Sequence, residues 1–284
     1  MNGSGISRRS PYTRKNYVKT RLVLFSLLTL TLLLGSLFAR QLCPYDPNEQ
    51  NYDKALMPPC IEHPFGTDRY GRDMLSRVII GSRVSIFATL ALVGTICAAG
   101  TAAGVACGFA GGRLDAAVMR VSDVCLAFPG LVFALAIAAV LGGGGANAVA
   151  ALAVISWPKY SRIARSQTLA LKRSDFIAAA RLSGCTSAQI IVRHILPNIM
   201  GPVVVTAMLD IGTMMMELAG LSFLGLGAMP PTAEWGNMMS GGRSMLQTYP
   251  WVVITPGIAI FISVVLFNML GDAVRDWLDP RGTK

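Results

Sequence analysis

Asp210 and Glu217 are the only carboxylates well inside one of this chain's long apolar runs. They stand seven residues apart, about 10 Å along a helix, and so share nearly one face. A charge in mid-membrane costs about 3 kcal/mol by insertion scales, so such groups face a cavity or a neighbouring helix. Two uses fit. They line a pathway and meet a cationic or amine-bearing solute, or they hydrogen-bond across an interface with a sister subunit, close to the Gly-rich packing segment 220–227. Other chemistry finds little support. Met214, Met215 and Met216 are consecutive and therefore point around a helix, which suits packing better than a soft-metal ladder. His63 and His194 are the only histidines and no CxxC pair exists, so no metal site is expected. No Ser/His/Asp or paired-carboxylate arrangement suggests a catalytic centre, and no G-x4-G-K-[ST] motif for ATP is present. The chain is read as a non-enzyme with no cofactor of its own.

The elements that must position these residues are set by composition. Of 284 residues 53% are hydrophobic and 14% charged, well below the charge of soluble domains, so lipid is part of the solvent. The net charge of +10 does not indicate nucleic acid, because the basic residues flank apolar spans and form no continuous basic surface. Cys97, Cys107 and Cys125 lie in or beside apolar spans, where a small thiol packs. Only Cys43 and Cys60 share an extracytoplasmic segment and could be bridged.

The expected fold class is all-α and polytopic, with about six transmembrane helices. A basic tail (1–21) precedes a first span at 22–39, which is too long for a signal core and lacks a small-residue cleavage site. A polar segment at 40–83 is followed by a membrane core at 84–271 and a tail at 272–284. Within the core, spans are expected at 84–110, 121–141, 146–157, 195–217 and 251–270, the fourth of the six being short as written and extending past Pro158 or starting within 142–145. With both termini inside, eighteen Lys/Arg fall in cytoplasmic segments and seven outside, as the positive-inside rule requires. The segment from Asp68 to Arg83 has charges at near-helical spacing and suits a solvated helix, a receiver for a partner or a brace for the second span; Trp235 and Trp251 suit interfacial anchors.

The basic loop 158–197 is the most informative segment. Ser174 or Asp175 can cap a helix through Ala178, Ala179 and Ala180. Gly184 stands where a helix ends, Thr186 and Gln189 have capping-box spacing for a second helix, and Pro197 opens the next span. A cytoplasmic connector held by lipid phosphates and an element seated in a partner's groove both fit.

The pattern Ala178-Ala179-Ala180-x3-Gly184-x11-Leu196-Pro197 resembles the EAA signature of ABC importer permeases. Ala178 replaces the usual Glu and His194 an aliphatic residue. The segments Gly66-Thr67-Asp68-x2-Gly71-Arg72-Asp73, Gly220 to Gly227 with Glu234-Trp235-Gly236, and Phe267-Asn268 to Asp279-Pro280 are similar to the dipeptide, oligopeptide and nickel permeases. The resemblance implies one of two non-identical permease subunits in the bacterial inner membrane. It also implies two ATP-binding subunits carrying ATP and Mg, and an extracytoplasmic solute-binding protein. Ala179, Ala180, Gly184 and Pro197 become coupling-loop positions, with Ala178, His194 and Leu196 beside them. Expected cargo is a short peptide or nickel; the stretch Leu209 to Met215 is more similar to the nickel branch. A secondary transporter would need inverted repeats, and none is evident; a membrane scaffold would not need paired intramembrane carboxylates.

Overall fold

The structure is a computed structural model that describes residues 11–278, with side chains from Tyr17 onward. Arg8, Arg9, Arg14, Lys15 and the closing Asp279-Pro280 lie outside the residues whose side chains are described. The helices are α1 (Pro11–Leu37), α2 (Ala39–Leu42), α3 (Met74–Ala110), α4 (Gly112–Leu126), α5 (Gly130–Val140), α6 (Gly145–Lys172), α7 (Asp175–Leu182), α8 (Ser187–Ile190), α9 (Leu196–Phe223), α10 (Trp235–Gly242) and α11 (Trp251–Leu278). The only β pairing among the described residues is an isolated bridge between Thr67 and Asp73.

Four helical runs, Tyr17–Leu37, Met74–Ala110, Ser187–Phe223 and Trp251–Leu278, are long and apolar enough to cross a membrane, and a fifth is added if α4 and α5 count as one span. The sequence suggests about six. The difference lies in α6, whose 28 residues extend about 42 Å but include Lys159, Arg162 and Arg165. The expected fourth span, short as written at 146–157, does extend past Pro158: α6 runs from Gly145 to Lys172, so the first part of the expected loop is helix. The expected continuous span 121–141 is instead broken, with α4 and α5 meeting at 94°. Pro129, at φ −56° and ψ 122°, occupies the break and cannot donate to a helical ladder.

The α3–α6 pair is the most extensive helix contact in the chain, and glycine sets its distance. A Cβ on Gly100 would lie 2.4 Å from the Trp157 carbonyl oxygen, one on Gly104 2.3 Å from that of Ser161, and one on Gly108 2.9 Å from the Thr168 Cβ. The three recur every four residues and let the backbones touch, as small residues do in membrane helix pairs. The basic residues of α6 are tied to α4. Arg165 makes a bidentate pair with Asp115 at 2.5 and 2.7 Å, and Arg162 reaches Asp123 at 2.7 Å.

The segment before α3 is a buried polar knot, not a solvated helix. Asp68 accepts from Arg72 at 2.7 Å and lies 3.7 Å from Arg77, and all three are buried. Asp73 caps α3 by accepting from the Ser76 amide and hydroxyl, each at 2.7 Å, while its other oxygen meets His63 Nδ1 at 2.9 Å. This arrangement satisfies the brace reading, since Arg77 also donates to the Pro47 carbonyl. Cys43 and Cys60 are free thiols: Cys43 donates to the Ala39 carbonyl and Cys60 accepts from the His63 amide.

Trp235 is a correction. It is 2% exposed and donates from Nε1 to the Val78 carbonyl at 2.9 Å, so it is a core peg between α10 and α3, not an interfacial anchor. Beside it, buried Glu234 caps α10 by accepting from the amides of Gly236 and Asn237, and Ser85 donates to it from α3. Trp251 is half-buried and tied to the Thr67 carbonyl. Met214 and Met215 are buried and Met216 is 58% exposed, as packing around a helix requires.

The α3–α6 approach gives a clear expectation. Gly104→Val should lower stability by about 3 kcal/mol or more, because the obstruction is backbone. Gly94→Ala, which meets nothing within 4 Å, should leave the melting temperature unchanged or slightly raised. Thermal unfolding in detergent distinguishes them; a stable Gly104→Val protein would remove this contact from its central place.

Candidate functional site

Two features stand out once the helices are in place. The first is the connector between α6 and α9. Ser174 takes the N-cap position of α7, but its hydroxyl donates back to the Leu171 carbonyl and does not cap the new helix. Lys172 donates to the Phe109 carbonyl at 2.5 Å, and both Lys172 and Arg181 lie over the Phe109 ring. The connector is thereby pinned to the end of α3.

The end of α7 is a Schellman closure. The Cys185 amide donates to the Ala180 carbonyl and the Gly184 amide to that of Arg181, with Gly184 at φ +82°. Only glycine takes this conformation without strain. The capping box opens α8: Thr186 Oγ1 accepts from the Gln189 amide at 3.3 Å, and Gln189 Oε1 accepts from the Thr186 amide at 2.8 Å. Sequence spacing anticipated both turns.

The sequence did not disclose the five-residue π-helical stretch Ile191–Ile195 that joins α8 to α9. In it the Leu196 amide donates to the Ile191 carbonyl, five residues back. Pro197 follows directly and has no amide for the Arg193 carbonyl, and Asn198 Nδ2 donates to the His194 carbonyl at 2.6 Å.

The connector has a small core of its own. Ile177, Ile190 and Ile195 are buried with Val105, Ala164 and Ile199, and Ala180 and Leu196 pack against them. Its other face is open: Ala178, Ala179, Gly184 and Pro197 are exposed and His194 is half-buried. Beside them the large apolar side chains of Phe176, Leu182 and Val192 are 44%, 90% and 61% exposed. The connector is thus an element held by its own caps and core with an exposed apolar outer face.

The second feature is inside the helix bundle. Asp210, 2% exposed, accepts from Lys159 Nζ at 2.6 Å and from the Tyr160 hydroxyl at 3.0 Å. Lys159 and Asp210 each stand midway along a 28-residue helix. The expected loop 158–197 includes Lys159, and the structure has it within α6. Glu217 is half-buried two turns further along α9 and takes no part in this pair. The two carboxylates that sequence spacing set on one face thus have different surroundings.

Apolar helices, an ion pair held between two of them and a capped helix pair at one end define a polytopic helical membrane protein. A family model described as "Binding-protein-dependent transport system inner membrane component" matches residues 100–284. The glutathione transport system permease protein GsiD of Escherichia coli O6:K15:H31 is 42% identical over 257 residues, covering 90% of this chain and 85% of that protein. The dipeptide transport system permease protein DppC of Alkalihalophilus pseudofirmus is 40% identical over 268 residues, covering 94% and 88%. Among solved structures, an inward-facing form of the MetNI methionine ABC transporter shares the fold at a TM-score of 0.58 with 19% identity, covering 72% of this chain and 98% of that one. The chain belongs to the binding-protein-dependent transport system inner membrane component family and is a permease subunit of an ABC importer.

The capping box is testable directly. Thr186→Ala should cost about 1 kcal/mol locally, seen as faster hydrogen exchange at the amides of residues 188–190 with no change in the membrane helices. Unchanged exchange there would mean that the connector is held by other contacts.

Proposed function

We propose that this chain forms half of the translocation pathway of an ATP-driven importer of short peptides and engages an ATPase through the connector between α6 and α9. The observation that carries the reading is the exposed apolar face of Phe176, Leu182 and Val192 around Ala178 and Ala179, on an element fixed by its own core and caps. Its partners are a second permease subunit, two ATP-binding subunits that hold ATP and Mg, and an extracytoplasmic solute-binding protein. ATP-driven closure of the ATPase pair would move the seated connector, and the helices would change the side to which the pathway opens. The absent Glu at Ala178 makes docking a matter of packing against small side chains.

In this reading both termini are cytoplasmic. The excess of Lys/Arg on that side survives the redrawn helices: Lys159, Arg162 and Arg165 move into α6, but Arg77 and Arg83 move into α3. Peptide cargo is favoured over nickel for two reasons. The relatives just described are named for glutathione and dipeptide transport. Asp210, one of two candidate groups for a cation, already has both oxygens engaged by Lys159 and Tyr160.

Reconstitution of the chain with its sister permease, ATPases and binding protein tests the function. Glutathione or dialanine should accumulate only with ATP, and nickel should not. Uptake without the ATPase would establish a secondary carrier instead. Gly184→Val should insert normally yet lower uptake severalfold, because the turn holding the docking face is strained; wild-type uptake would defeat the coupling role. In single-cysteine variants, an impermeant maleimide should label exposed Cys60 from outside and half-buried Cys185 only after the membrane is opened. The reverse pattern would invert the topology.

A further inference from the structure

The ammonium of Lys159 is the part of the intramembrane pair that remains accessible. Its side chain is 51% exposed, whereas that of Asp210 is 2% exposed. Asp210 accepts one hydrogen bond from Lys159 and one from Tyr160, so neither carboxylate oxygen is left without a donor. An ammonium has three donors and no acceptor. The pair therefore presents N–H groups outward and keeps its acceptors inside.

Hydrocarbon cannot satisfy those donors midway along a membrane helix. Where α6 lies within a bilayer, an exposed ammonium midway along it requires a water-filled space or an acceptor brought to it. Tyr160 and Asp210 also fix where it points. Tyr160 is fully buried, and its Cβ lies against Gly100 at the close α3–α6 contact. Lys159 is thus tethered through α9 to the least yielding contact of the fold. Because Asp210 cancels the formal charge, the site offers directed hydrogen bonds without a deep electrostatic well, which suits a solute that must leave again.

We propose that Lys159, positioned by Asp210 and Tyr160, is a contact in the translocation pathway for an acceptor group of the cargo, namely the carboxylate of a short peptide. This rests on the peptide-importer reading above. It assigns to Asp210 a different task from binding a cation or amine: it holds the lysine, and a cation arriving at this point meets N–H groups.

The test uses the assembly of both permeases and both ATPase subunits in nanodiscs, with the binding protein omitted, and radiolabelled dialanine as the probe. The Lys159→Met variant should weaken equilibrium binding about tenfold, the loss of one charge-assisted hydrogen bond, and Lys159→Arg should retain most of it. Because Lys159→Met strands a buried carboxylate, Lys159→Met/Asp210→Asn is measured beside it and should show the same weakening with normal insertion. Equal affinity in wild type and the double variant overturns the proposal. So does loss of the sister permease on purification of the Lys159 variants, which would make Lys159 a subunit contact. Uptake by the complete system separates the two levels: if wild type and the double variant import dialanine equally, this inference alone fails. If wild type imports neither dialanine nor glutathione, the peptide reading fails with it.

Discussion

The backbones of α3 and α6 approach so closely that no side chain fits at three successive steps, Gly100, Gly104 and Gly108. In lipid there is little hydrophobic gain from bringing two apolar helices together, so association rests on close van der Waals contact and on polar bonds. Both are present along this pair. The glycine ladder brings the helices together, and Tyr160 at its upper step carries the hydroxyl that reaches Asp210 on α9. Lower down, Arg162 and Arg165 leave the same helix to hold α4. The position of α9, of α4 and of the connector beyond α6 all follow from where α6 lies on α3.

The charged residues divide by depth in a way that composition alone conceals. Around the start of α3, buried Asp68, Arg72, Arg77 and Asp73 pair with one another, with His63 or with the backbone, and only His63 Nε2 is left without a partner in this group. Those on α6 are spent on neighbouring helices. The connector keeps few of its basic side chains for this purpose and presents apolar ones outward. Buried charge therefore shapes the bundle, while the connector's outer face carries apolar side chains beside exposed Arg173, Arg181 and Arg193.

The local chemistry of the connector was legible in the sequence, and the reason is physical. Gly184 and the Thr186–Gln189 pair act through backbone bonds within a few residues, so spacing alone discloses them. The fold class was legible for a similar reason, since apolar length is a local property. What failed depends on contacts distant in sequence. Trp235 was read as an anchor because its partner, Val78, is 157 residues away. Lys159 was read as part of the loop 158–197, yet proline is tolerated within α6. The break at Pro129 had the same local signal and the opposite outcome. The Ala at position 178 is plain in the sequence, whereas the exposed apolar face beside it depends on how α7 and α8 pack.

The π-helical stretch after α8 has a mechanical consequence. It keeps α8 and α9 in one helical run, Ser187–Phe223, of 37 residues, whereas a loop there would have let the two swing independently. Such a rod is about 55 Å long. It works as a lever with its fulcrum near Asp210, where Lys159 and Tyr160 grip it from α6. Rotating it by about 10° about that point displaces the Ser187 end by about 6 Å and the Phe223 end by about 3 Å, in opposite directions. A push on α8 is then felt at Phe223, beyond the pivot, with its sense reversed.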